Sequence, residues 1–125
     1  MPSKTVRLTV PAEAEFARIV RMTAANLAVC CDMPIDDVED ARMAAEEGFV
    51  YACATVQDDC EISFSIDDGQ VSMTFSLGLE LKEEDEDSSL DLVEALLGAI
   101  CDESTVSDDE TQLTLIKRTG GLYAE

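Results

Sequence analysis

Two segments in the middle of the chain, both with alternating apolar residues, constrain the fold more than any other feature. In Cys60–Ile66 and in Gln70–Leu81 every second side chain is apolar, which is the period of a strand that buries one face. Between them lies Asp67-Asp68-Gly69, and an Asp-Gly pair in this position is a strong signal for a hairpin turn. The sequence therefore predicts two antiparallel strands whose apolar face needs a covering layer.

Two amphipathic helices are predicted before this hairpin. The first of them is predicted to span Ala12–Cys31. Pro11 lies just before it, and proline favours the start of a helix. Asp32-Met33-Pro34 ends it, since the residue before a proline is restricted to extended conformations. The apolar stripe of this helix, spaced by three and four residues, comprises Phe16, Ile19, Val20, Thr23, Leu27 and Cys31.

The second helix is predicted to begin at Asp36 and to end near Gln57. Asp36, with Glu39 three residues later, has the spacing of a capping box. Small residues recur on its apolar side, so we expect close packing against a neighbour. That side comprises Val38, Ala41, Ala45, Phe49, Ala52 and Val56.

Four further segments complete the predicted order. Lys4–Val10 alternates and predicts a first strand, Lys82–Asp87 is a charge run typical of a solvated loop, and Thr111–Lys117 predicts a last strand. Either Ser88 or Ser89 can cap a third helix. The apolar face of that helix comprises Leu92, Val93, Leu96, Leu97 and Ile100.

The resulting order is strand, helix, helix, strand, strand, helix, strand, which predicts an α+β fold. The economical solution is a two-layer sandwich, in which helices cover one face of a mostly antiparallel sheet. The length of 125 residues fits a single domain, 1–125. Residues 119–125 are expected to form a flexible tail.

The charge of the chain excludes several classes of function. There are 28 acidic residues against 8 basic ones, a net charge of −20, and no histidine. Such a chain repels nucleic acid and anionic membranes, and it has no imidazole for Ser-His-Asp or Cys-His catalysis. It has no apolar run long enough to span a membrane and no apolar secretion segment at its amino end, so we expect a cytoplasmic location.

The cysteines are odd in number and show no C-x-x-C spacing. We expect small buried thiols, with a redox role or a thiolate metal site as the alternative. They are Cys30, Cys31, Cys53, Cys60 and Cys101.

The segment Glu39–Glu47 resembles a known family. Its residues fit the pattern E-D-x-[KR]-x-A-x-x-E, which is found in anti-sigma-factor serine kinases of the RsbW type, members of the histidine-kinase-like (GHKL) ATPase superfamily. The order of elements on both sides of the segment matches the family as well, so the resemblance covers nearly the whole chain. It implies a histidine-kinase-like ATPase fold, here without the nucleotide lid, because only ten residues separate Gly78 from Ser89.

The resemblance implies positions for a catalytic base and a metal ligand on the second helix. Glu47 matches the glutamate that polarises the attacking group, and Tyr51 occupies the position of the asparagine that coordinates Mg²⁺. Residues four apart share a helix face, so in active members both groups reach one phosphate. A bulky, protonated phenol is a poor magnesium ligand, and we expect Glu47 to be a vestigial base and no metal to bind.

The resemblance also places the nucleotide-binding positions. Ser76-Leu77-Gly78-Leu79-Glu80 stands where the family has Asp-x-Gly-x-Gly, so Ser76 replaces the adenine-binding aspartate and Glu80 replaces a glycine. Ser89 lies in the stretch that corresponds to the phosphate-binding Gly-x-Gly-Leu. With Tyr51 and Gly78, these are the family's nucleotide positions, mostly substituted, and we expect no cofactor.

Three hypotheses for function follow. The first is an anti-sigma-factor-like regulator that binds a sigma factor or a STAS-type antagonist, with homodimerisation possible, as the resemblance implies. The second is an active serine-protein kinase that uses ATP and Mg²⁺ to phosphorylate a STAS partner. The third is an unrelated acidic inhibitor that mimics nucleic acid; this hypothesis would be favoured if the first two helices did not pack side by side.

Overall fold

The structure, a computed structural model, describes residues 4–81 and 89–119, with the side chains of residues 89–91 left undescribed. A 3₁₀ turn at Ala14–Phe16 precedes the first helix. The helices and strands are β1 (Lys4–Pro11), α1 (Ala17–Cys30), α2 (Ile35–Cys53), β2 (Asp59–Asp67), β3 (Gln70–Ser76), α3 (Ser89–Ile100), β4 (Glu103–Val106) and β5 (Gln112–Arg118).

The strands form one antiparallel sheet in the order β1-β2-β3-β5-β4. The predicted hairpin is confirmed: Asp67 pairs with Gln70, and Gly69 adopts φ 68° at the turn, a conformation that glycine reaches without strain. Its second strand ends at Ser76 rather than at the predicted Leu81.

One face of the sheet holds the core. Facing residues such as Phe64 and Met73, or Phe75 and Leu113, are paired across the strands and are fully or almost fully buried. The neighbouring positions on the other face, including Ser63 and Thr74, are polar and less buried. The prediction of an α+β two-layer sandwich with helices on one face is confirmed.

Most of the predicted apolar stripe of the first helix is confirmed. Val20 is fully buried, and Phe16, Leu27 and Cys31 pack against the core, whereas Ile19 is 46% exposed. The stripe did not include the alanines of α1 that are also buried, Ala17, Ala24 and Ala28. Alanines face α2 because small side chains let two helix axes approach closely, and Ala41, Ala44 and Ala45 on α2 are fully buried in return. The helix also begins at Ala17, not at Ala12.

The predicted capping box of the second helix is wrong as well. Pro34 is the N-cap, and no side chain caps the helix there. Asp36 instead lies in the first turn, where a carboxylate interacts favourably with the helix dipole. The helix ends at Cys53 rather than near Gln57, and Val56 is 55% exposed.

Lys117 is an exception on the apolar face of the sheet. It is almost fully buried, and its Nζ lies 3.1 Å from Asp40 Oδ2 and 3.6 Å from Asp37 Oδ1 on α2. Burial acts to lower the pKa of Lys117, but the hydrogen bond that Lys117 donates to Asp40 and the charges of both aspartates outweigh it, so the pKa is raised. This ion-pair cluster joins the start of α2 to the end of β5.

The strand β4 was not predicted, because its four residues, Glu103–Val106, are mostly exposed and do not alternate. On α3, Leu97 is fully buried, but the predicted core residue Leu92 is 75% exposed. The last strand is Gln112–Arg118, close to its prediction. No helix in the described part of the chain has the length and apolarity needed to cross a bilayer.

Several predictions fall on residues that the structure does not describe. They are the loop Lys82–Asp87, the cap at Ser88 and the tail beyond Thr119.

Candidate functional site

A cavity formed by described residues lies between the end of α2, the segment after β3, α3 and the turn between β4 and β5. Its volume is about 390 Å³, within the range of small-ligand sites, about 300–1,000 Å³. We call it the acidic cleft. The described residues that line it are Tyr51, Thr55, Leu77, Gly78, Leu79, Glu80, Leu81, Glu94, Val106, Ser107, Asp108 and Glu110.

The segment after β3 forms one wall because it pairs with the residues that follow α2. Thr55 Oγ1 accepts a hydrogen bond from the Gly78 amide at 2.8 Å, the Val56 amide donates to the Glu80 carbonyl at 2.8 Å, and Thr55 forms a bridge with Leu81. A Cβ at Gly78 would lie 2.1 Å from the Val56 carbonyl oxygen. Glycine is therefore required here by the close approach of two backbone segments.

Tyr51 and Glu94 connect α2 to α3 at the edge of the cleft. The Tyr51 hydroxyl donates to Glu94 Oε2 at 3.2 Å. Partial burial raises the pKa of the Tyr51 phenol, and the charges of Glu94 and Glu110 and the hydrogen bond to Glu94 raise it further. The phenol therefore stays protonated at neutral pH and lies in a region of negative electrostatic potential.

The turn between β4 and β5 is held by Asp109. Its Oδ1 accepts hydrogen bonds from the Ser107 hydroxyl at 2.7 Å, the Thr111 hydroxyl at 2.7 Å and the Thr111 amide at 3.1 Å, and these bonds, those from Thr111 first, lower the pKa of Asp109. Glu110 adopts φ 61°, a left-handed conformation uncommon outside glycine. The result is that Asp108 and Glu110 both line the cleft.

The cleft lining is strongly negative. Four carboxylates contribute to it, those of Glu80, Glu94, Asp108 and Glu110, and no lysine or arginine is among the lining residues that the structure describes. In the same described part of the chain, no group of three or more His, Cys, Asp or Glu side chains is placed to hold a metal ion. The arrangement attracts cations without offering a compact ligand set.

The structure brings three of the predicted site residues together. Tyr51, Gly78 and Glu80 all line the acidic cleft. Glu47 and Ser76 are not among its described lining residues.

Glu47 and Ser76 have other surroundings. Partial burial raises the pKa of the Glu47 carboxyl, and the charge of Glu46 raises it further. The Ser76 hydroxyl donates to Gln57 Oε1 at 3.0 Å and accepts from the Glu61 amide at 2.9 Å. Ser76 therefore helps to fix the loop after α2. The side chain of Ser89 lies outside the described residues, although its backbone begins α3.

Cysteine chemistry is not favoured at Cys60 or Cys101. Burial raises the pKa of Cys60 and of Cys101 to about 11 in each case, so both are protonated at neutral pH and poor nucleophiles. Cys30 is exposed, which differs from the expectation of buried thiols. All five cysteines are free.

Sequence reasoning missed the carboxylates on the far side of the cleft. Glu94 lies on the predicted third helix, and Asp108–Glu110 lies just before the predicted last strand. The Leu77 amide donates to the Thr111 carbonyl at 2.8 Å. This hydrogen bond holds the turn between β4 and β5 against the wall of the cleft. The acidic composition of the turn was the only available signal, and it does not specify a neighbour.

The comparisons with known proteins reveal a partial similarity. Over 55 residues the chain is 38% identical to a protein named serine-protein kinase RsbW from Halalkalibacterium halodurans. The aligned stretch is 44% of this chain and 32% of that protein, so the similarity spans about a third of the relative. No protein-family model matches the chain. That protein carries the name of the family that the Glu39–Glu47 segment resembles, and the antiparallel α+β sandwich is consistent with a histidine-kinase-like domain.

Proposed function

We propose that this chain is an anti-sigma-factor-like regulator that acts by binding another protein and whose ATP site has degenerated. Its partial similarity to a protein named RsbW kinase supports the assignment to this kind of protein. The observation that carries the proposed loss of ATP chemistry is the charge of the acidic cleft. Tyr51, Gly78 and Glu80 line it, and the resemblance assigns these three residues to nucleotide binding.

Electrostatics oppose a triphosphate in this cleft. Two like unit charges about 4 Å apart repel by about 1 kcal/mol in water and by about 4 kcal/mol near a protein surface. Glu80, Glu94, Asp108 and Glu110 add to this repulsion, and none of the described lining residues is a cation that would offset it. Binding of ATP is therefore disfavoured before any loss of hydrogen bonds is considered.

The residues at two of the assigned nucleotide positions also oppose ATP binding. Tyr51 replaces the metal-binding asparagine of the family, and a phenol with a raised pKa offers magnesium no anionic oxygen near neutral pH. Ser76 replaces the adenine-binding aspartate, and its hydroxyl is used by Gln57. Both substitutions remove contacts that the resemblance assigns to nucleotide binding.

A protein partner fits the surface of the molecule. On α1, Ile19, Met22 and Val29 are exposed and lie on the side opposite the buried alanines, so they offer apolar contact area. The net charge of −20 favours a basic partner through complementary fields. We propose a sigma factor or a STAS-type antagonist as this partner, in the cytoplasm, with a homodimer as a further possibility. The hypothesis of an unrelated acidic inhibitor has less support, because α1 packs along α2 over one face of the sheet.

A thermal denaturation series with Mg-ATP tests the loss of nucleotide binding. Nucleotide at 100 times its dissociation constant would stabilise the folded state by about 2.7 kcal/mol. We expect no stabilisation at millimolar Mg-ATP, while the RsbW kinase of Halalkalibacterium halodurans serves as the positive control. A clear rise in the melting temperature of this chain would contradict the proposal.

Capture from a lysate of the source cell tests protein binding. With the immobilised chain as bait, we expect enrichment of a sigma factor or a STAS protein. The matched control is the same immobilised chain kept in its unfolded form. It has the same charge of −20 but no fold. Equal capture by both baits would show that charge alone retains proteins.

An active kinase is the second candidate, and two observations favour it. The relative is named a serine-protein kinase, and the raised pKa of Glu47 is a property of many general bases. The test is phosphoryl transfer from labelled ATP to the captured STAS protein, with Glu47→Gln as the control. Transfer that depends on Glu47 would replace our first proposal with this one.

A further inference from the structure

The acidic cleft combines exposed apolar surface with its negative charge. Leu79 is 75% exposed at the cleft wall and Leu81 is 42% exposed, whereas Leu77 is nearly buried beneath them. Val106 closes the opposite side from β4. A ligand that fills this cleft therefore meets aliphatic walls as well as carboxylates.

The cleft is longer than one small cation requires. A second cavity of about 310 Å³ adjoins it and shares three of its walls, Tyr51, Glu94 and Val106. It extends along α3 towards Gly98 and Leu113. The two together offer room for a side chain and for part of the segment that carries it.

The carboxylates of the cleft come from three separate parts of the fold. Glu80 follows β3, Glu94 lies on α3, and Asp108 and Glu110 belong to the turn between β4 and β5. Groups distributed in this way surround an extended cation better than they coordinate a metal ion, and the described residues hold no compact metal-ligand group. The complementary ligand is an organic cation with an aliphatic stem.

We infer that the acidic cleft receives an arginine or lysine side chain of the protein partner. The methylenes of such a side chain pack on the leucines and Val106, and its head group forms charge-assisted hydrogen bonds with Glu94 and Glu110. The Tyr51 ring adds a surface for a cation–π contact. This inference rests on the proposed function for the existence of a protein partner, but the cleft can be tested without it.

The binding test uses a short arginine-rich peptide and the same peptide with citrulline in place of arginine. Citrulline keeps the shape of arginine and removes its charge. We expect the arginine peptide to bind with measurable affinity by calorimetry and the citrulline peptide to bind at least about tenfold more weakly, a difference of about 1.4 kcal/mol. Equal binding of the two peptides would overturn the inference.

Matched variants separate the cleft from the general negative charge. Glu94→Gln with Glu110→Gln removes two charges at the cleft, and Glu15→Gln with Glu61→Gln removes two exposed charges elsewhere. We expect the first pair to weaken the arginine peptide by about tenfold or more and the second by less than about twofold. Equal weakening by both pairs would overturn the inference, because long-range attraction would then account for binding.

Two further measurements keep the test decisive. If the cleft variants fail to fold, amide chemical-shift changes in the unmodified protein locate the peptide; shifts at Tyr51, Leu79 and Val106 support the inference, and shifts confined to α1 overturn it. Spermidine that binds more tightly than the peptide would make the cleft a polyamine site and overturn the assignment to a protein side chain.

The outcome for the cleft is distinguishable from the outcome for the proposed function. Partner capture that survives unchanged in the Glu94→Gln, Glu110→Gln variant overturns the cleft inference and leaves the proposed function intact. Failure of every capture, with the peptide still bound at the cleft, overturns the proposed function instead.

Discussion

Gly78 and Gly98 lie close to the cleft, but a methyl group at each would meet different surroundings. At Gly78 it would lie 2.1 Å from the Val56 carbonyl oxygen, whereas at Gly98 it would meet nothing within 4 Å. We expect Gly78→Ala to destabilise the protein by about 2 kcal/mol or more, because backbone must move. Gly98→Ala, in a helix, should stabilise it by about 0.5–1 kcal/mol.

Urea denaturation of the two glycine variants checks this pair. Gly98 is the control, because the same chemical change is made within α3. A Gly78→Ala variant as stable as the parent would show that the segment after β3 is not held against residues 55–56.

Glu47 gives a pH-dependent prediction. Burial, and then the charge of Glu46, raise the pKa of Glu47 above its ordinary value of 4.5, so the folded state binds this proton more readily than the unfolded state does. Ionisation of Glu47 therefore destabilises the fold above that pKa, and the destabilisation disappears as the pH falls towards 4.5. We expect Glu47→Gln to be slightly more stable than the parent at pH 7 and equal to it at low pH.

Thermal denaturation over a pH series measures this difference, with exposed Glu13 changed to Gln as the control. A parent that is more stable than Glu47→Gln at neutral pH would mean that the Glu47 carboxylate has a favourable partner.

At the scale of elements, the ion-pair cluster of Lys117 with Asp37 and Asp40 ties α2 to the sheet. The side chains of Lys117 and Asp37 are 11% and 10% exposed, whereas that of Asp40 is 37% exposed. We expect Lys117→Met to destabilise the protein by about 3–5 kcal/mol, because the buried Asp37 carboxylate then loses this counter-charge. Arg118→Met is the control, since its ion pair with Glu103 is exposed and exposed ion pairs contribute little to stability.

The same cluster has a signature at high pH. The pKa of Lys117 is raised above its ordinary value of 10.5, so its contribution to stability is fully present below 10.5 and is lost as the pH rises through the higher folded-state pKa. Urea denaturation between neutral pH and about pH 11 measures the loss. If the parent and Lys117→Met lose stability in parallel over this range, the cluster does not stabilise the fold.

At the scale of the whole molecule, the net charge of −20 acts against the compact state. Carboxylates confined to a small fold repel one another more than in the unfolded chain, and salt screens this repulsion within a Debye length of about 10 Å at 0.1 M. We expect the melting temperature to rise when NaCl increases from about 0.05 M to about 0.5 M. KCl should give the same rise, and a flat or falling melting temperature would contradict the expectation.

The sequence predicted the central hairpin and most of the buried positions of the first two helices. The alternation in Cys60–Ile66 and the turn at Gly69 depend on nearby residues, so both appear in the structure. The buried face of α1 depends on α2, and close helix packing selected Ala24 and Ala28 over the larger Ile19. The strand β4 has little apolar pattern of its own. It forms because its backbone pairs with β5.

Only one wall of the acidic cleft could be predicted from the sequence. The resemblance placed Tyr51, Gly78 and Glu80 at the family's nucleotide positions, and all three line the cleft. It gave no indication of Glu94 or Glu110, since these residues are far from Tyr51 in the sequence and meet it only through the packing of α3 and the turn after β4.

The sequence by itself determined the class of fold and the sign of the charge, because periodicity, turn chemistry and composition are local or additive properties. The tertiary structure alone decided that Ala24 and Ala28 are buried while Ile19 is exposed, that Lys117 lies among aspartates, and that four carboxylates surround one cleft. These features depend on distances between segments remote in sequence, which are fixed only when helices and strands pack together.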